Sequence, residues 1–351
     1  MAKQKKLSHS QSRRIRDNHN KRIAKAKKPQ EDDDFLEDNL LGPQTFGQVI
    51  TRYGQHADVE NPAGENVKCH IRRTAGSLVC GDKVIWRPYN QSDSDFAGII
   101  EAVEPRESEF VRPDFYDGLK PVAANIDQIL IVAALLPDLA PNIIDRYLIA
   151  VEQLDITPVL LINKLDLIDD TNRELVADIQ HMYESIGYKV VVLSAKLEQG
   201  IEQIKSLLVD KTSVFVGQSG VGKSSIVNAI LPSVDIETKQ VSDNSRLGVH
   251  TTTASRLYRL ENGGSIIDSP GVREFAMWHL ENEQILHGFV EFRPYLHQCK
   301  FRDCKHQKDP GCALQKAIAD GLVSDTRYQS YLKILQTVTD ITLRHQSKES
   351  K

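Results

Sequence analysis

The sequence predicts a multi-domain α/β protein: a small β-barrel, a larger domain of parallel strands and helices, and a helical segment built around a metal-ligand cluster. Three observations carry this. Residues 46–103 hold short apolar runs punctuated by turns, the pattern of a small barrel. Beyond Pro113, near-continuous apolar runs alternate with helical patterns, as in a doubly wound sheet. Toward the C-terminus, three cysteines and a histidine fall within fourteen residues. A chain of 351 residues suits two or three cores, and 40% hydrophobic with 26% charged residues is ordinary globular composition. No apolar run reaches the length of about 18 residues that a membrane span needs, and the basic N-terminus lacks an apolar signal segment. A cytoplasmic location with no membrane partner is therefore expected.

Charge divides the chain unevenly. Residues 1–28 carry eleven Lys/Arg against one acid, so a net charge of −4 leaves −14 on residues 29–351. So basic and apolar-poor a segment cannot offset its ordering entropy by burial. It reads either as a solvated tail or as a polyanion-binding arm. The acidic run from Glu31 to Asp38 follows as a linker. The expected division is a basic arm and linker over 1–40, a barrel over 41–113, an α/β domain over 114–280 and a metal-binding helical domain over 281–351.

In the barrel, residues 46–51, 67–73, 83–87 and 97–103 read as strands. The pattern fits an OB-like barrel, the commonest small barrel that binds nucleic acid. Lys68, Arg72, Arg73, Lys83 and Arg87 could line a strand face for RNA. Scattered solvated charges are the alternative, and no stacking aromatic cluster is visible in the sequence to exclude it.

In the next domain, residues 129–134, 159–162, 190–193, 214–216 and 265–267 read as buried parallel strands. Helical patterns cover 143–154, 172–186 and 201–208. After the strand at 214–216 comes G-Q-S-G-V-G-K-S, a match to the phosphate-loop pattern, followed by a helix over 225–230. Glycines let the backbone wrap an anion while N–H groups and the helix dipole point at it. Gly217, Gln218, Ser219, Gly220, Val221 and Gly222, with Lys223, Ser224 and Ser225, are thus candidate phosphate ligands. Lys223 would reach the β- and γ-phosphates and the Ser224 hydroxyl would ligate Mg²⁺.

Asn163-Lys164-Leu165-Asp166 ends the strand at 159–162. A carboxylate there accepts both N1–H and the exocyclic N–H of guanine; adenine would leave it buried and unpaired. Ser194-Ala195-Lys196 ends the following strand, where a backbone N–H can donate to guanine O6. Asp268-Ser269-Pro270-Gly271 ends another, with Asp268 placed for Mg²⁺ through water and the Gly271 N–H for the γ-phosphate. Together these motifs imply a P-loop GTPase domain taking GTP and GDP. Their order is circularly permuted, with the guanine motifs ahead of the phosphate loop; domain termini that lie close together allow this.

Cys299, Cys304, His306 and Cys312 form C-x4-C-x-H-x5-C, a complete tetrahedral set suited to one structural Zn²⁺, with His297 as a competing imidazole. Helices are expected over 313–320 and 326–343.

The permuted motifs, the preceding barrel and the following Cys/His cluster together resemble the RsgA family of small-ribosomal-subunit biogenesis GTPases, over about residues 40–330. The resemblance implies a GTPase that binds the 30S ribosomal subunit and its rRNA late in maturation and leaves after subunit-stimulated hydrolysis. The segment 248–253, Gly-Val-His-Thr-Thr-Thr, lies where a switch I belongs. In Ras-type enzymes the residue just after the D-x-x-G motif is a water-orienting glutamine, whereas the residue just after Asp268-x-x-Gly271 here is Val272. By the resemblance, the catalytic role falls on His250, whose neutral imidazole can accept a hydrogen bond from water. One of Thr251 and Thr252 is expected on Mg²⁺, Thr252 by preference. A monomer is expected, and the alternative function is a nucleotide-regulated RNA-binding module without turnover.

Overall fold

The computed structural model of the chain describes residues 41–90, 95–114, 118–232, 255–268 and 280–349. The first five strands are β1 (Thr45–Tyr53), β2 (His56–Glu60), β3 (Asn66–Ile71), β4 (Lys83–Pro88) and β5 (Gly98–Val103). β1 pairs with both β2 and β4, β3 runs parallel to β5, and β5 pairs with β4, so every strand has two neighbours and the barrel closes. A register shift between Val49 and Thr51 lets β1 serve two partners, as bulges do at barrel corners. Val49, Val59, Cys69, Leu78, Val84, Trp86 and Ile100 fill the interior. β2 is a strand that the apolar runs did not announce: in His-Ala-Asp-Val-Glu only Ala57 and Val59 face inward.

A two-stranded ribbon follows, β6 (Glu109–Asp114) with β7 (Gly118–Ala124), tied to the barrel by a bridge between Cys80 and Ala123. Then come β8 (Gln128–Ala134), α1 (Pro141–Glu152), β9 (Thr157–Asn163), α2 (Arg173–Ser185), β10 (Lys189–Val192), α3 (Ile201–Leu208), β11 (Thr212–Val216), α4 (Lys223–Ile230), β12 (Arg256–Arg259) and β13 (Ser265–Asp268). The strand order is β10-β9-β8-β11-β13-β12, parallel except for β12. Ile129, Ile131 and Ala133 face one core with α1 and α2, while Leu130, Val132 and Ala134 face another with α3 and α4. Burial on both faces explains the unbroken apolar runs. Beyond β12, Arg256 pairs with Thr51 of β1, so barrel and parallel sheet share one continuous eleven-stranded sheet.

The C-terminal unit comprises α5 (Asn282–Gly288), a 3-10 segment (Val290–Tyr295), α6 (Ala313–Ala319) and α7 (Asp325–Glu349). Phe289 and Phe292 stack at 4.7 Å, and the Tyr331 ring meets both edge-on, an arrangement aromatic quadrupoles favour. Ile149 of α1 belongs to this same core. Gly288 lets α5 approach α1: a Cβ there would lie 2.6 Å from Ile149 Cγ2.

Candidate nucleotide site and metal centre

β8, β9, β10, β11 and β13 run parallel, so their C-terminal ends share one edge of the sheet, the edge where open α/β sheets bind ligands. The glycine-rich loop from Gly217 to Gly222 leaves β11 and enters α4. Two glycines are required by position. Gly217, at φ +143, would place a Cβ 2.2 Å from the Val132 carbonyl oxygen of β8. Gly222, at φ +95, would place one 2.3 Å from Asn163 Nδ2. Gln218, Ser219 and Gly220 form the outer turn, with Ser219 and Gly220 exposed, while Val221 is buried. Lys223 opens α4 and its Nζ donates to the carbonyls of Gly217 (2.6 Å) and Gln218 (2.5 Å), which keeps a cation on the loop's rim. Ser224 is half-buried in the first helical turn and Ser225 is exposed.

Asn163, the last residue of β9, is 3% exposed and ties three segments together. Its Nδ2 donates to Val221 O at 2.9 Å, and its Oδ1 accepts from the Ala195 N–H at 3.1 Å. Lys164 takes the left-handed conformation at φ +69 and its Nζ donates to Leu136 O at 2.9 Å. Asp166 lies in a 3-10 turn over Leu165–Leu167. Its Oδ1 accepts from the buried Ser194 hydroxyl at 2.6 Å, and Lys196 Nζ lies 3.9 Å from Oδ2. The Ser194 hydrogen bond, above all, holds the Asp166 carboxyl below its ordinary range, with help from the Lys196 and Lys164 charges. An oriented, ionised carboxylate with acceptor capacity to spare is what recognition of two adjacent N–H donors needs. Asp268 ends β13 opposite Arg256, one strand over from the glycine-rich loop. The structure thus gathers Asn163, Lys164, Asp166, Ser194, Ala195, Lys196, the residues from Gly217 to Ser225, and Asp268 at one sheet edge. His250, Thr251, Thr252, Gly271 and Val272 lie outside the described residues, as do residues 1–40.

In the C-terminal unit, Cys299, Cys304, His306 and Cys312 bring one ligand atom each to within 4.8 Å of the others. His306 Nδ1 lies 3.5 Å from Cys299 Sγ, 3.7 Å from Cys304 Sγ and 3.5 Å from Cys312 Sγ. The Cys299 and Cys312 sulfurs are 3.9 Å apart. Bonds of about 2.0–2.3 Å from one central ion give tetrahedral edges of about 3.5–3.8 Å, so the four donors fit such an ion. Burial above all, with the Cys299 and Cys312 sulfurs beside it, pushes the Cys304 thiol up to about 12. The outer contacts also orient the set. The Ala313 N–H donates to Cys299 Sγ, and the His306 carbonyl accepts from the Tyr328 hydroxyl and from Gln315. His297, the competing imidazole, is exposed and stands outside the cluster.

Two groupings escaped the sequence reading. On the barrel, His56 and His70 meet edge-on at 5.0 Å, Phe96 stacks on His70 at 3.9 Å, and His70 Nδ1 lies 3.1 Å from the Tyr89 hydroxyl. An aromatic cluster therefore exists where the sequence displayed none; its members come from β2, β3 and the connection between β4 and β5, and no linear signal joins them. The five basic residues do not form a stripe. Arg72 faces Glu101, Lys83 pairs with Glu107 and Arg87 bonds to the Gly42 and Leu41 carbonyls, while Lys68 and Arg73 are exposed. Second, Arg327 of α7 is buried with Asp145 of α1 and Glu291, its guanidinium 4.5 Å from the Phe289 ring centroid.

A family model described as RsgA GTPase matches residues 103–278. The chain is 51% identical over 343 residues to the small ribosomal subunit biogenesis GTPase RsgA of Pectobacterium carotovorum, covering 97% of each. It is also 51% identical over 356 residues to the protein named small ribosomal subunit biogenesis GTPase RsgA 1 of Vibrio vulnificus, covering 100% of this chain and 99% of the other. The crystal structure of YjeQ from Thermotoga maritima matches with a TM-score of 0.69 at 31% identity, over 85% of this chain and 99% of that one. YloQ, described as a circularly permuted GTPase, matches with a TM-score of 0.67 at 28% identity, over 85% and 96%.

Proposed function

The chain belongs to the RsgA GTPase family, and from that membership we propose that this GTP-hydrolysing enzyme acts in late maturation of the 30S ribosomal subunit. It binds the subunit and its rRNA in the GTP state and leaves after subunit-stimulated hydrolysis, as a monomer in the cytoplasm. The observation that carries the reading is the meeting of Asn163 with Val221 and Ala195, which unites the guanine motifs and the glycine-rich loop despite their permuted order. The relatives' printed names supply the subunit.

In this reading residues 1–40 form a basic arm and acidic linker, 41–113 the OB-like barrel, 114–280 the permuted GTPase domain and 281–351 the zinc-binding domain. Asp166 accepts the two guanine N–H groups, the Ala195–Lys196 backbone donates to O6, and Lys164 and Lys196 flank the base. Asn163 holds these loops together. Backbone N–H groups from Gly217 to Ser225 cradle the phosphates, Lys223 takes the β- and γ-oxygens, and the Gly271 N–H senses the γ-phosphate. Mg²⁺ would neutralise charge developing on the transferred group, held by Ser224 and Thr252 and by Asp268 through water. The side chains of Ser224 and Asp268 sit on adjacent elements at the same edge, which suits that shared duty. His250 accepts a hydrogen bond from the attacking water and aligns it, a task Val272 cannot perform. The Cys299, Cys304, His306 and Cys312 cage holds one zinc ion that builds structure, with no open position for chemistry.

The test is GTP turnover with and without purified 30S subunits, with 50S subunits and free rRNA as controls. Stimulation by 30S alone is expected, and His250→Ala should lower the stimulated rate by about 10²-fold or more while leaving GTP affinity within about twofold. Equal turnover under all four conditions would remove the ribosomal reading.

A further inference from the structure

The metal loop projects one large apolar group into solvent. Phe301 is 46% exposed, although a core built on Phe289, Phe292 and Tyr331 lies in the same unit. Its position is dictated from both sides. It stands between the ligands Cys299 and Cys304, whose sulfurs turn inward. The Lys300 N–H donates to Gly311 O at 3.1 Å, and the Lys305 N–H donates to Asp309 Oδ2 at 3.1 Å. Gly311, at φ +74, brings the returning chain so close that a Cβ would lie 2.9 Å from Lys300 Cβ. A loop pinned this way presents its aromatic ring already ordered, so a partner meets it without a large further entropy cost.

The ring sits in a basic setting. Residues 297–312 hold Lys300, Arg302, Lys305 and Lys308 against Asp303 and Asp309, a surplus of +2 on a body whose residues 29–351 sum to −14. Three thiolates with one divalent ion would take back only a single charge. Lys300 Nζ lies 5.4 Å from the Phe301 ring centroid. An exposed ring flanked by cations suits a flat, uncharged group carried on an anionic chain. An apolar protein pocket would call for apolar neighbours around the ring, whereas Gln298, Lys300, Arg302 and Asp303 surround it in sequence.

We propose that Phe301 is a stacking platform for one unpaired nucleobase of RNA, with Lys300 and Arg302 on the flanking phosphates. The proposal rests on the ribosomal reading for its natural ligand, but not for its chemistry. Full-length protein, Phe301→Ala, Phe301→Leu and Phe301→Trp are compared for 30S binding with a non-hydrolysable GTP analogue, and for binding a single-stranded RNA oligomer at low salt. Phe301→Ala should weaken 30S binding on the order of tenfold, with bound metal and basal GTP turnover unchanged. Phe301→Leu should not restore it and Phe301→Trp should. Emission of the Phe301→Trp protein, less that of the parent, should be quenched by both ligands. Lys300→Ala should lower the slope of log affinity against log salt by about one. Wild-type affinity in Phe301→Ala overturns the proposal. So does equal rescue by Leu and Trp with blue-shifted, unquenched emission, which would mark a protein pocket. If the parent fails to bind 30S, the ribosomal reading falls, and quenching by the oligomer alone then decides for or against the stack.

Discussion

Asp166 shows how one contact sets a residue's chemistry. Ser194 donates to Oδ1 and keeps the carboxyl ionised, so the group can only accept. Asp166→Asn turns one oxygen into a donor, which faces the exocyclic N–H of guanine with like polarity. GTP affinity should fall by about two orders of magnitude or more, and xanthosine triphosphate, with an acceptor at that position, should recover much of it; competition binding reads both. Gly222→Ala should disrupt the site differently, since the added Cβ meets Asn163 Nδ2 and unlocks the three segments that side chain joins. Gly220→Ala, where nothing lies within 4 Å, should cost only about 1–2 kcal/mol of backbone strain in nucleotide-free melts. These motifs were legible in the sequence because each is contiguous. The His56, His70, Tyr89 and Phe96 cluster was not, because only barrel closure assembles it. Burial, then the neighbouring His56, lowers the His70 pKa. The unfolded chain therefore takes up a proton near pH 6.5 before the folded one does. The stability from His70 is full above that pH and is lost as pH falls through the folded value. Denaturant midpoints at pH 7.5 and 5.5 should differ less for His70→Gln than for the parent.

At the scale of elements, α1 carries two duties. Leu148 and Val151 pack on the sheet, while Ile149 and Asp145 face the C-terminal unit. Its helical pattern was readable, although the helix begins two residues ahead of expectation, since Pro141 suits the first helical turn. The charged lock on it was not readable, because Asp145, Tyr183, Glu291 and Arg327 are far apart in sequence. Arg327 contacts Asp145 and Glu291 and lies 5.4 Å from the Tyr183 ring centroid, with its side chain 1% exposed. Arg327→Met would leave two buried carboxylates without their cation and should cost about 3–5 kcal/mol in urea unfolding. Adding Asp145→Leu and Glu291→Met should return much of that loss, because the desolvation penalty disappears with the charges. A triple variant as weak as the single one would mean that the ions, and not the shape of the site, hold the helices together. The β6–β7 ribbon was unreadable for another reason. Pro113 and Pro121 argue against a strand, and a ribbon outside the main sheet tolerates them because its outer edges need no further partners.

Across the whole molecule, the permuted order was legible, yet its structural consequence was not. β12 joins Asp268 through Arg256 to Thr51, so the barrel and the proposed Mg²⁺ ligand lie along one line of three paired strands. The C-terminal unit attaches elsewhere, through α1, and its two parts differ in what holds them. The helices α5 and α7 are fastened by the Phe289, Phe292 and Tyr331 core and by Arg327, with Cys312 a member of that core and Cys299 and Cys304 packed against it. The segment from Cys299 to Cys312 contains no helix or strand and draws its order from the four ligands, from the Lys300–Gly311 and Lys305–Asp309 hydrogen bonds within it, and from Tyr328 and Gln315 on the His306 carbonyl. Removing the metal with a chelator should therefore release one zinc ion per chain and abolish amide protection over residues 297–312. Protection in α5 and in α7 up to Val338 should persist, and GTP affinity should stay within about twofold, because a site gains no stability from a ligand that binds a separate cooperative unit. Hydrogen exchange and nucleotide titration on the same chelated sample read both halves. Loss of GTP binding together with the metal would show that order passes from the cage through α1 to the sheet edge, and that the C-terminal unit folds as one piece with the nucleotide site.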